Sequence, residues 1–179
     1  MTDALHLAIR KIDILDQPAE ALIYSTNVEM NGSGGVGAAL IRRYGTRVQE
    51  TLDELRDGKP RVPQGSVFER TLAGTPYRAI FHTVPTGRWH ETTPEKVAQV
   101  LELALKGCVE RGIQTVALSA LATGYGDLLL EEFLVLTDRV ARLPEFQAIR
   151  EVTLCLDDPT AFTLAIKVIQ ARKLGFRRA

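Results

Sequence analysis

Short apolar runs alternate with longer amphipathic segments along most of this chain. The runs ALIYS, TVALSAL and EVTLCL have the length and the continuous apolar character of strands that are buried on both faces. The segments that follow them repeat apolar residues at spacings of three and four, which is typical of amphipathic helices. A helix between successive strands is the pattern of a mostly parallel sheet covered on both faces. We therefore predict an α/β fold.

The same pattern predicts the order of the elements. The first predicted elements are extended segments at LHLAI, IDIL and ALIYS, and two helices follow them at VGAALIRRYG and RVQETLDELRDG. Next comes a predicted hairpin, whose strands GSVFER and YRAIFHTV are joined by the turn TLAGTP. The longest helix begins at a capping box of Thr92 and Glu95 and ends at Gly112. The rest is expected to be the strand TVALSAL, the loop ATGYGD, a helix over 129–142, the strand EVTLCL and a helix over 159–174. The hairpin makes the predicted sheet mixed, and residues 175–179 are expected to be a frayed tail.

Composition favours a single globular domain over residues 1–179. Hydrophobic residues make up 45% of the chain, and 22 basic residues balance 22 acidic ones. Such a balance leaves no bulk field for DNA or an anionic membrane, so neither kind of general partner is implied. The first residues lack a basic segment followed by a long apolar one, and no apolar stretch approaches the roughly 20 residues that span a bilayer. We expect a cytoplasmic protein.

Cysteine and histidine positions suggest neither a metal site nor a nucleophilic thiol. Cys108 lies in a helical segment and Cys155 in a strand, without a CxxC pair or a histidine nearby, so both are expected to be buried free thiols. His6, His82 and His90 are too scattered for a metal cluster. No metal and no cofactor is expected.

The segment NGSGGVGAAL follows a predicted strand and contains Gly32, Gly34 and Gly37 at the spacing G-x-G-x-x-G. A dinucleotide-binding fold would need an acidic residue at the end of the next strand, about 20 residues further on. Glu50 and Asp53 lie there, but in a segment with helical periodicity. A Walker loop is excluded because no Gly-Lys-Ser/Thr follows. A nicotinamide-dependent oxidoreductase therefore stays only a distant alternative.

The loop can bind an anion even if it is neither a dinucleotide-binding fingerprint nor a Walker loop. Consecutive glycines let the backbone turn with positive φ and come close to a ligand, and the helix that follows offers unpaired amides and a positive dipole end. A plain flexible turn is the simpler interpretation of an isolated glycine-rich stretch. The second glycine-containing loop, ATGYG, follows another predicted strand, and ligands bind at such loops in open α/β sheets. The pair of loops favours ligand binding.

At this point a family resemblance becomes specific. The stretch KIDILDQPAEALIYSTNVEMNGSGGVGAALIRRYG resembles the opening of macrodomains, the ADP-ribose-binding family. In that family a Gly-Asp-Ile turn is followed by a strand that ends in Asn-Ala-Ala-Asn and by a Gly-Gly-Gly-Val loop that enters a helix. GSVFERTLAGTPYRAIFHTV, GIQTVALSALATGYGDL and VTLCLDDPTAFTLAIKVI resemble the family's middle hairpin, second phosphate loop and closing strand and helix. The resemblance implies a three-layer α/β/α fold with a central mixed, mostly parallel sheet.

The resemblance also assigns ligand-binding roles to particular positions. Asp13, with Ile14, matches the turn whose carboxylate accepts a hydrogen bond from the adenine amino group, and Asn27 matches an amide that bonds the distal ribose. From the residues alone, a solvated turn aspartate or a helix cap is the favoured interpretation of Asp13, and an Asx-turn is the alternative for Asn27. The two phosphate loops supply the other predicted ligand-binding residues: Gly34, Gly35, Val36, Gly37, Ala122, Thr123, Gly124, Tyr125 and Gly126. Amides and a helix dipole can hold a diphosphate without lysine.

The sequence departs from the family's hydrolases at the positions that matter for catalysis. One branch has Asn at the first position of the strand-end motif and Asp after the glycine-valine, where this chain has Tyr24 and Gly37. Another branch uses an Asp in the second loop with a Lys near the middle strand. Asp127 resembles that Asp, but the nearest cation is Arg88, which cannot lose a proton to act as a nucleophile. A helix-capping role is favoured for Asp127.

Binding is therefore the favoured function, and Asn27 and Asp127 are only weak catalytic candidates. We expect the chain to bind ADP-ribose, a related metabolite or an ADP-ribosylated macromolecule in a crevice between the two glycine loops. The alternative is an ADP-ribosyl hydrolase or an ADP-ribose-phosphate phosphatase that uses the same crevice. The loop PTGRWHETT, residues 85–93, is expected at its rim, where Trp89 and His90 either touch a ligand or anchor the loop from beneath.

Overall fold

The computed structural model describes residues 5–179, which form a seven-stranded sheet and five α-helices. The strands are β1 (His6–Arg10), β2 (Ala21–Ser25), β3 (Val67–Glu69), β4 (Ala79–Thr83), β5 (Thr115–Leu118), β6 (Glu151–Cys155) and β7 (Phe176–Arg178). The helices are α1 (Gly35–Tyr44), α2 (Arg47–Arg56), α3 (Pro94–Glu110), α4 (Leu130–Ala141) and α5 (Pro159–Arg172). Short 3-10 turns cover Ile14–Asp16 and Pro144–Phe146.

The sheet has the strand order β3-β4-β2-β5-β6-β1-β7. β3 is antiparallel to β4, as the predicted hairpin requires, and all other neighbours are parallel. In register, Ala21 of β2 lies between Ala79 of β4 and Val116 of β5. The predicted mixed, mostly parallel sheet is confirmed.

Alternating side chains of the strands enter two separate cores, one on each face of the sheet. In β2, Ala21 and Ile23 pack on the side of α3, α4 and α5, whereas Leu22 and Tyr24 face α1. These four residues are 0% exposed, because both faces of the strand are covered. The three-layer α/β/α arrangement is confirmed.

The longest helix, α3, was predicted with the wrong N-cap. Thr93 is the N-cap, and its hydroxyl accepts a hydrogen bond from the Lys96 amide at 3.3 Å. The Thr92 hydroxyl instead donates to the Pro85 carbonyl at 2.7 Å and connects the start of the helix to the loop after β4.

None of the helices within residues 5–179 is both long enough and apolar enough to cross a bilayer.

The predicted strand IDIL is wrong, because residues 14–16 form a 3-10 turn. The Asp13 carboxylate accepts a hydrogen bond from the Leu15 amide at 2.9 Å and caps this turn. Ile14 and Leu15 are both buried, so adjacent apolar side chains point to the same core, as a strand does not allow.

The predicted frayed tail at residues 175–179 is also wrong. Phe176–Arg178 form the edge strand β7, with Leu7 opposite Phe176 in a parallel ladder. The Ala179 amide donates to the Ile9 carbonyl at 3.2 Å. Phe176 is buried in the larger core, so one apolar side chain and a backbone ladder are enough to hold this strand.

Five neighbouring strands place their carboxyl ends at one edge of the sheet. Because β4, β2, β5, β6 and β1 are parallel, the segments that leave them emerge side by side in that order. The turn at Asp13 and the two glycine loops therefore meet there, although they are far apart in sequence. Ligands of open α/β sheets bind at this edge.

Candidate functional site

Two adjoining cavities lie along the carboxyl edge of the sheet. The first, here called the loop cavity, has a volume of about 440 Å³ and lies at the ends of β4, β2 and β5. The second, the side cavity, has a volume of about 470 Å³ and lies at the ends of β5, β6 and β1. They share residues 33–36, Ser119 and Tyr125, and we call both together the groove. Each volume falls in the range of small-molecule sites.

The first glycine loop presents a row of backbone amides to the groove. Gly34 is the N-cap of α1, and residues 34–37 line the loop cavity. Among residues 5–179, the structure gives the amides of these four residues no acceptor, as expected for the first turn of a helix. Gly35 has φ +50°, a left-handed conformation that favours glycine. The loop thus combines free donors with the positive end of a helix dipole.

The second glycine loop faces the first across the loop cavity. Ala122 has φ +62°, and its amide donates to the Ser25 hydroxyl at 3.2 Å, which fixes the loop to the end of β2. Gly126 packs closely against Ala122 and Thr86, since a Cβ on Gly126 would lie 2.4 Å from the Ala122 carbonyl oxygen. Within the described chain, the amides of residues 124–126 have no acceptor. The opposing loops can therefore donate to one anion from both sides.

Tyr125 bridges the two loops and borders both cavities. A Cβ on Gly34 would lie 2.6 Å from Cε2 of the Tyr125 ring, so the ring rests directly on the Gly34 backbone. The side chain is nevertheless 75% exposed. Tyr125 can thus cover a ligand that passes from one cavity into the other.

Asn27 lines the loop cavity and organises the first loop. Its amide nitrogen donates to the side-chain oxygen of Asn31 at 2.8 Å, and its own oxygen accepts from the Asn31 backbone amide at 3.2 Å. The Asn31 oxygen also accepts from the Ser33 hydroxyl. The Asn27 oxygen thus accepts from an amide four residues on and not two, so Asn27 does not form the expected Asx-turn, and its contact with a ribose stays a prediction.

Asp13 and Ile14 lie at the far end of the groove, in the side cavity. One carboxylate oxygen of Asp13 caps the 3-10 turn, and the other lies 3.8 Å from a guanidinium nitrogen of Arg43. The side chain is 42% exposed, so this second oxygen can accept a hydrogen bond from a ligand. All the predicted ligand-binding residues line one of the two cavities except Thr123, whose hydroxyl donates to the Ala120 carbonyl.

A family model for the Macro domain matches residues 23–135, more than half of the chain. The chain belongs to the macro domain family. It is 24% identical to a protein of Archaeoglobus fulgidus named ADP-ribose glycohydrolase, over 92% of each chain. The Oceanobacillus iheyensis macrodomain with ADP has a TM-score of 0.81 at 19% identity, and 92% of this chain and 90% of that chain are covered. The Trypanosoma brucei macrodomain in complex with ADP-ribose has a TM-score of 0.75 at 17% identity, covering 92% and 69%.

Within this macro domain, Gly37 makes a close backbone contact. A Cβ on Gly37 would lie 3.0 Å from the Gly32 Cα, which is tighter than side chains normally tolerate. Gly32 is held from the other side by Ile41 and by the Gln49 side chain, which accepts from the Gly32 amide at 2.9 Å. The packing around position 37 therefore has no room for an acidic side chain, in keeping with the glycine found there. Gly32, incidental to the family pattern, is a structural part of the loop.

Gly37→Ala is expected to lower the free energy of unfolding by about 1–3 kcal/mol, because the new methyl group overpacks the contact with Gly32. Gly124→Ala is the matched control. Gly124 lines the same cavity, but nothing lies within 4 Å of its Cβ position, so little change is expected. Urea unfolding of both variants measures the difference. Equal stability of the two would contradict a rigid contact between Gly32 and Gly37.

Asp127 and Trp89 do not take the structural roles expected for them. Helix α4 begins at Leu130, and the Leu129 amide is capped by Glu132 at 3.0 Å, so Asp127 does not cap the helix. Asp127 is exposed and lines neither cavity. Trp89 is 73% exposed, with the Arg88 guanidinium 4.7 Å from its ring centre, so Trp89 does not anchor the loop from beneath.

Several residues of the groove were missed by the sequence analysis because they are ordinary polar residues in loops. Thr26 is the most informative, since its hydroxyl is buried and has no hydrogen-bond partner among residues 5–179. The other small polar residues that line the loop cavity are Ser25, Asn31, Ser33, Thr86 and Ser119. Thr26 and Ser119 directly follow β2 and β5, and that position was the signal available for these two.

Tyr24 stands where the family's hydrolases have Asn, and it is buried beneath the site. Its hydroxyl lies 2.7 Å from Nδ1 of His82, and the other ring nitrogen of His82 lies 3.1 Å from the Arg70 carbonyl oxygen. Burial lowers the pKa of His82 to about 4 and raises the pKa of Tyr24. The pair is therefore neutral at pH 7, with His82 donating from Nε2 and accepting from Tyr24. It supports the strand and does not reach the groove.

The two cysteines are free and buried, as predicted. Burial raises the pKa of each thiol to about 12, which keeps both protonated at neutral pH although Cys155 borders the side cavity. In the described part of the chain, His, Cys, Asp and Glu side chains form no group of three or more that could hold a metal ion.

Proposed function

We propose that this macro domain binds ADP-ribose, free or attached to a macromolecule, in the groove. The observation that carries the proposal is the pair of glycine loops, which line one cavity and whose amides at residues 34–37 and 124–126 have no acceptor within the described chain. Such opposed donors match a diphosphate, which carries its charge on oxygens that accept from several directions. Within the described chain, the lining of the loop cavity contains no lysine or arginine, so neutral amides suit this role there, and Arg42 lines the adjoining side cavity.

The similar proteins support the same ligand class. One of the solved macrodomains holds ADP and another holds ADP-ribose, and both share this fold over 92% of the chain. A diphosphate between the loops would leave the side cavity for the adenosine and the loop cavity for the distal ribose. Asp13 would then accept from the adenine amino group in the side cavity, while Asn27 and Tyr125 would contact the distal ribose.

Calorimetric titration with ADP-ribose tests the proposal, and Asp13→Ala is the informative variant. It removes a charge-assisted hydrogen bond to the ligand, so affinity is expected to fall about 10- to 100-fold. Asp16→Ala is the control, because Asp16 pairs with Arg43 at 2.8 Å near Asp13 but lines neither cavity. It should bind like the wild type. No heat from the wild type at high ligand concentration would refute the proposal.

Hydrolysis of ADP-ribosyl groups is the second candidate function. It is favoured by the relative from Archaeoglobus fulgidus named ADP-ribose glycohydrolase. Against it, the described residues that line the loop cavity include no aspartate or glutamate that could act as a general base. Turnover of ADP-ribosylated protein by the wild type, abolished by Asp127→Ala, would replace the binding proposal by a catalytic one. A phosphatase acting on ADP-ribose phosphate ends is tested by phosphate release in the same assay.

Three further expectations stay predictions alongside this proposal. They are the extent of a single macro domain over residues 1–179, the cytoplasmic location and an ADP-ribosylated macromolecule as partner.

A further inference from the structure

We propose that His90 is a further ligand-binding residue of the groove and that its protonation strengthens the binding of a diphosphate ligand. The inference rests on the function proposed above. His90 lies in the loop after β4 and lines the loop cavity beside the second glycine loop. Of the described residues that line this cavity, only His90 and Tyr125 carry ionisable side chains. A phenol keeps its proton at neutral pH, whereas an imidazole changes charge between about pH 5 and 8.

The backbone around His90 is built to hold it at this position. His90 has φ +68°, in the left-handed region that residues other than glycine seldom adopt. The surrounding turn is closed by hydrogen bonds from the Gly87 amide to the Glu91 carbonyl at 2.9 Å and from the His90 amide to the Gly87 carbonyl at 3.1 Å. The Asp127 amide donates to the His90 carbonyl at 3.3 Å and joins this turn to the second loop. Strained residues held in this way cluster at functional sites.

The imidazole lies beside Tyr125. The two ring centres are 6.2 Å apart, with an angle of 36° between the ring planes. Tyr125 rests on Gly34, whose amide is one of the free donors of the first loop. A cation at His90 therefore lies at the same opening as the proposed diphosphate, where the lining residues supply no other charge.

The charged side chains near His90 are not placed to neutralise a protonated imidazole before a ligand binds. Glu91 accepts from the Trp89 amide at 2.8 Å, and its carboxylate is turned towards Gly87. Arg88 lies over the Trp89 ring, and Asp127 is exposed outside the cavity. A bound diphosphate would be the partner that protonated His90 lacks.

Titration calorimetry with ADP-ribose at pH 5.5, 6.5 and 7.5 tests the inference. The diphosphate of ADP-ribose is a diester and keeps its charge over this range. Affinity of the wild type should rise about two- to fivefold as the pH falls, since an exposed ion pair contributes that much. His90→Gln should bind without this dependence, and His90→Lys, which is always charged, should bind at pH 7.5 as the wild type does at pH 5.5. His6→Gln is the control, because His6 lies at the amino end of β1, at the edge of the sheet opposite to the groove.

The outcomes separate this inference from the function on which it rests. Absence of binding at every pH would refute the proposed function. Binding whose affinity does not change with pH, or a dependence that persists in His90→Gln, would refute the role of His90 and leave the proposed function intact.

Discussion

Replacing Gly35 by glutamate is expected to abolish ADP-ribose binding. Gly35 lines both cavities, has φ +50° and has no neighbour within 4 Å of its Cβ position. The new side chain would extend into the groove, since nothing else occupies the space around it. Its carboxylate would then face the ligand's diphosphate among the free amides of the first loop. Repulsion between the carboxylate and the diphosphate, the loss of groove volume and the left-handed backbone that disfavours a side chain all weaken binding. The affinity should therefore fall by more than about 100-fold, or about 3 kcal/mol.

Gly58→Glu is the matched control for this prediction. Gly58 also has a left-handed backbone, with φ +68°, and open space at its Cβ position, but it lies after α2 and lines neither cavity. The control therefore carries the same added charge and a similar backbone strain at a distance from the groove. It should bind ADP-ribose with wild-type affinity. If both variants lose binding equally, the effect belongs to folding, and if neither does, the ligand does not use the first loop.

The elements that the sequence predicted well are those with many apolar contacts. β2 is buried on both faces and α3 has a continuous apolar stripe, so the hydrophobic pattern alone located them. The IDIL segment and the tail failed for the opposite reason. A capped 3-10 turn and a three-residue edge strand depend on single hydrogen bonds and on a neighbouring strand, which a local pattern does not contain.

The candidate groove was predictable in its glycines and less so in its polar residues. Gly35 and Tyr125 stood out because a glycine loop after a buried strand is a recognisable arrangement, and the family resemblance added Asp13. The sequence placed His90 at the rim of the crevice but left ligand contact and anchoring as alternatives, because its position depends on a turn in the left-handed region and on a contact with the second loop. The contact between Gly32 and Gly37 is likewise visible only in three dimensions.

Acidification from pH 7 to pH 5 is expected to lower the free energy of unfolding by about 2 kcal/mol through His82 alone. Desolvation by burial is the main cause that lowers the pKa of His82 to about 4, and the nearby Arg70 charge acts in the same direction. In the unfolded chain a histidine has a pKa of about 6.5. In the neutral ring Nδ1 accepts a hydrogen bond from the Tyr24 hydroxyl, and protonation would turn this nitrogen into a donor.

The sign follows from the two pKa values. Above about pH 6.5 the histidine is neutral in both states and stability does not depend on its titration. Between about pH 6.5 and 4 the unfolded chain binds a proton that the folded protein does not, so stability falls as the pH falls. Urea unfolding at pH 7, 6 and 5 measures this slope, which cannot exceed about 1.4 kcal/mol per pH unit for one group.

A double substitution, Tyr24→Phe with His82→Leu, assigns the slope to this pair. Replacing both partners by apolar groups leaves no buried donor or acceptor unpaired within the pair, so the variant should fold, whereas Tyr24→Phe alone would leave Nδ1 of His82 without its donor at a cost of about 1–3 kcal/mol. The double variant should lose most of the stability change between pH 7 and 5. His6→Gln should keep it, because His6 is not part of this pair. If the double variant keeps the full slope, the acid sensitivity arises elsewhere, and His82 is not the buried neutral histidine that its two hydrogen bonds indicate.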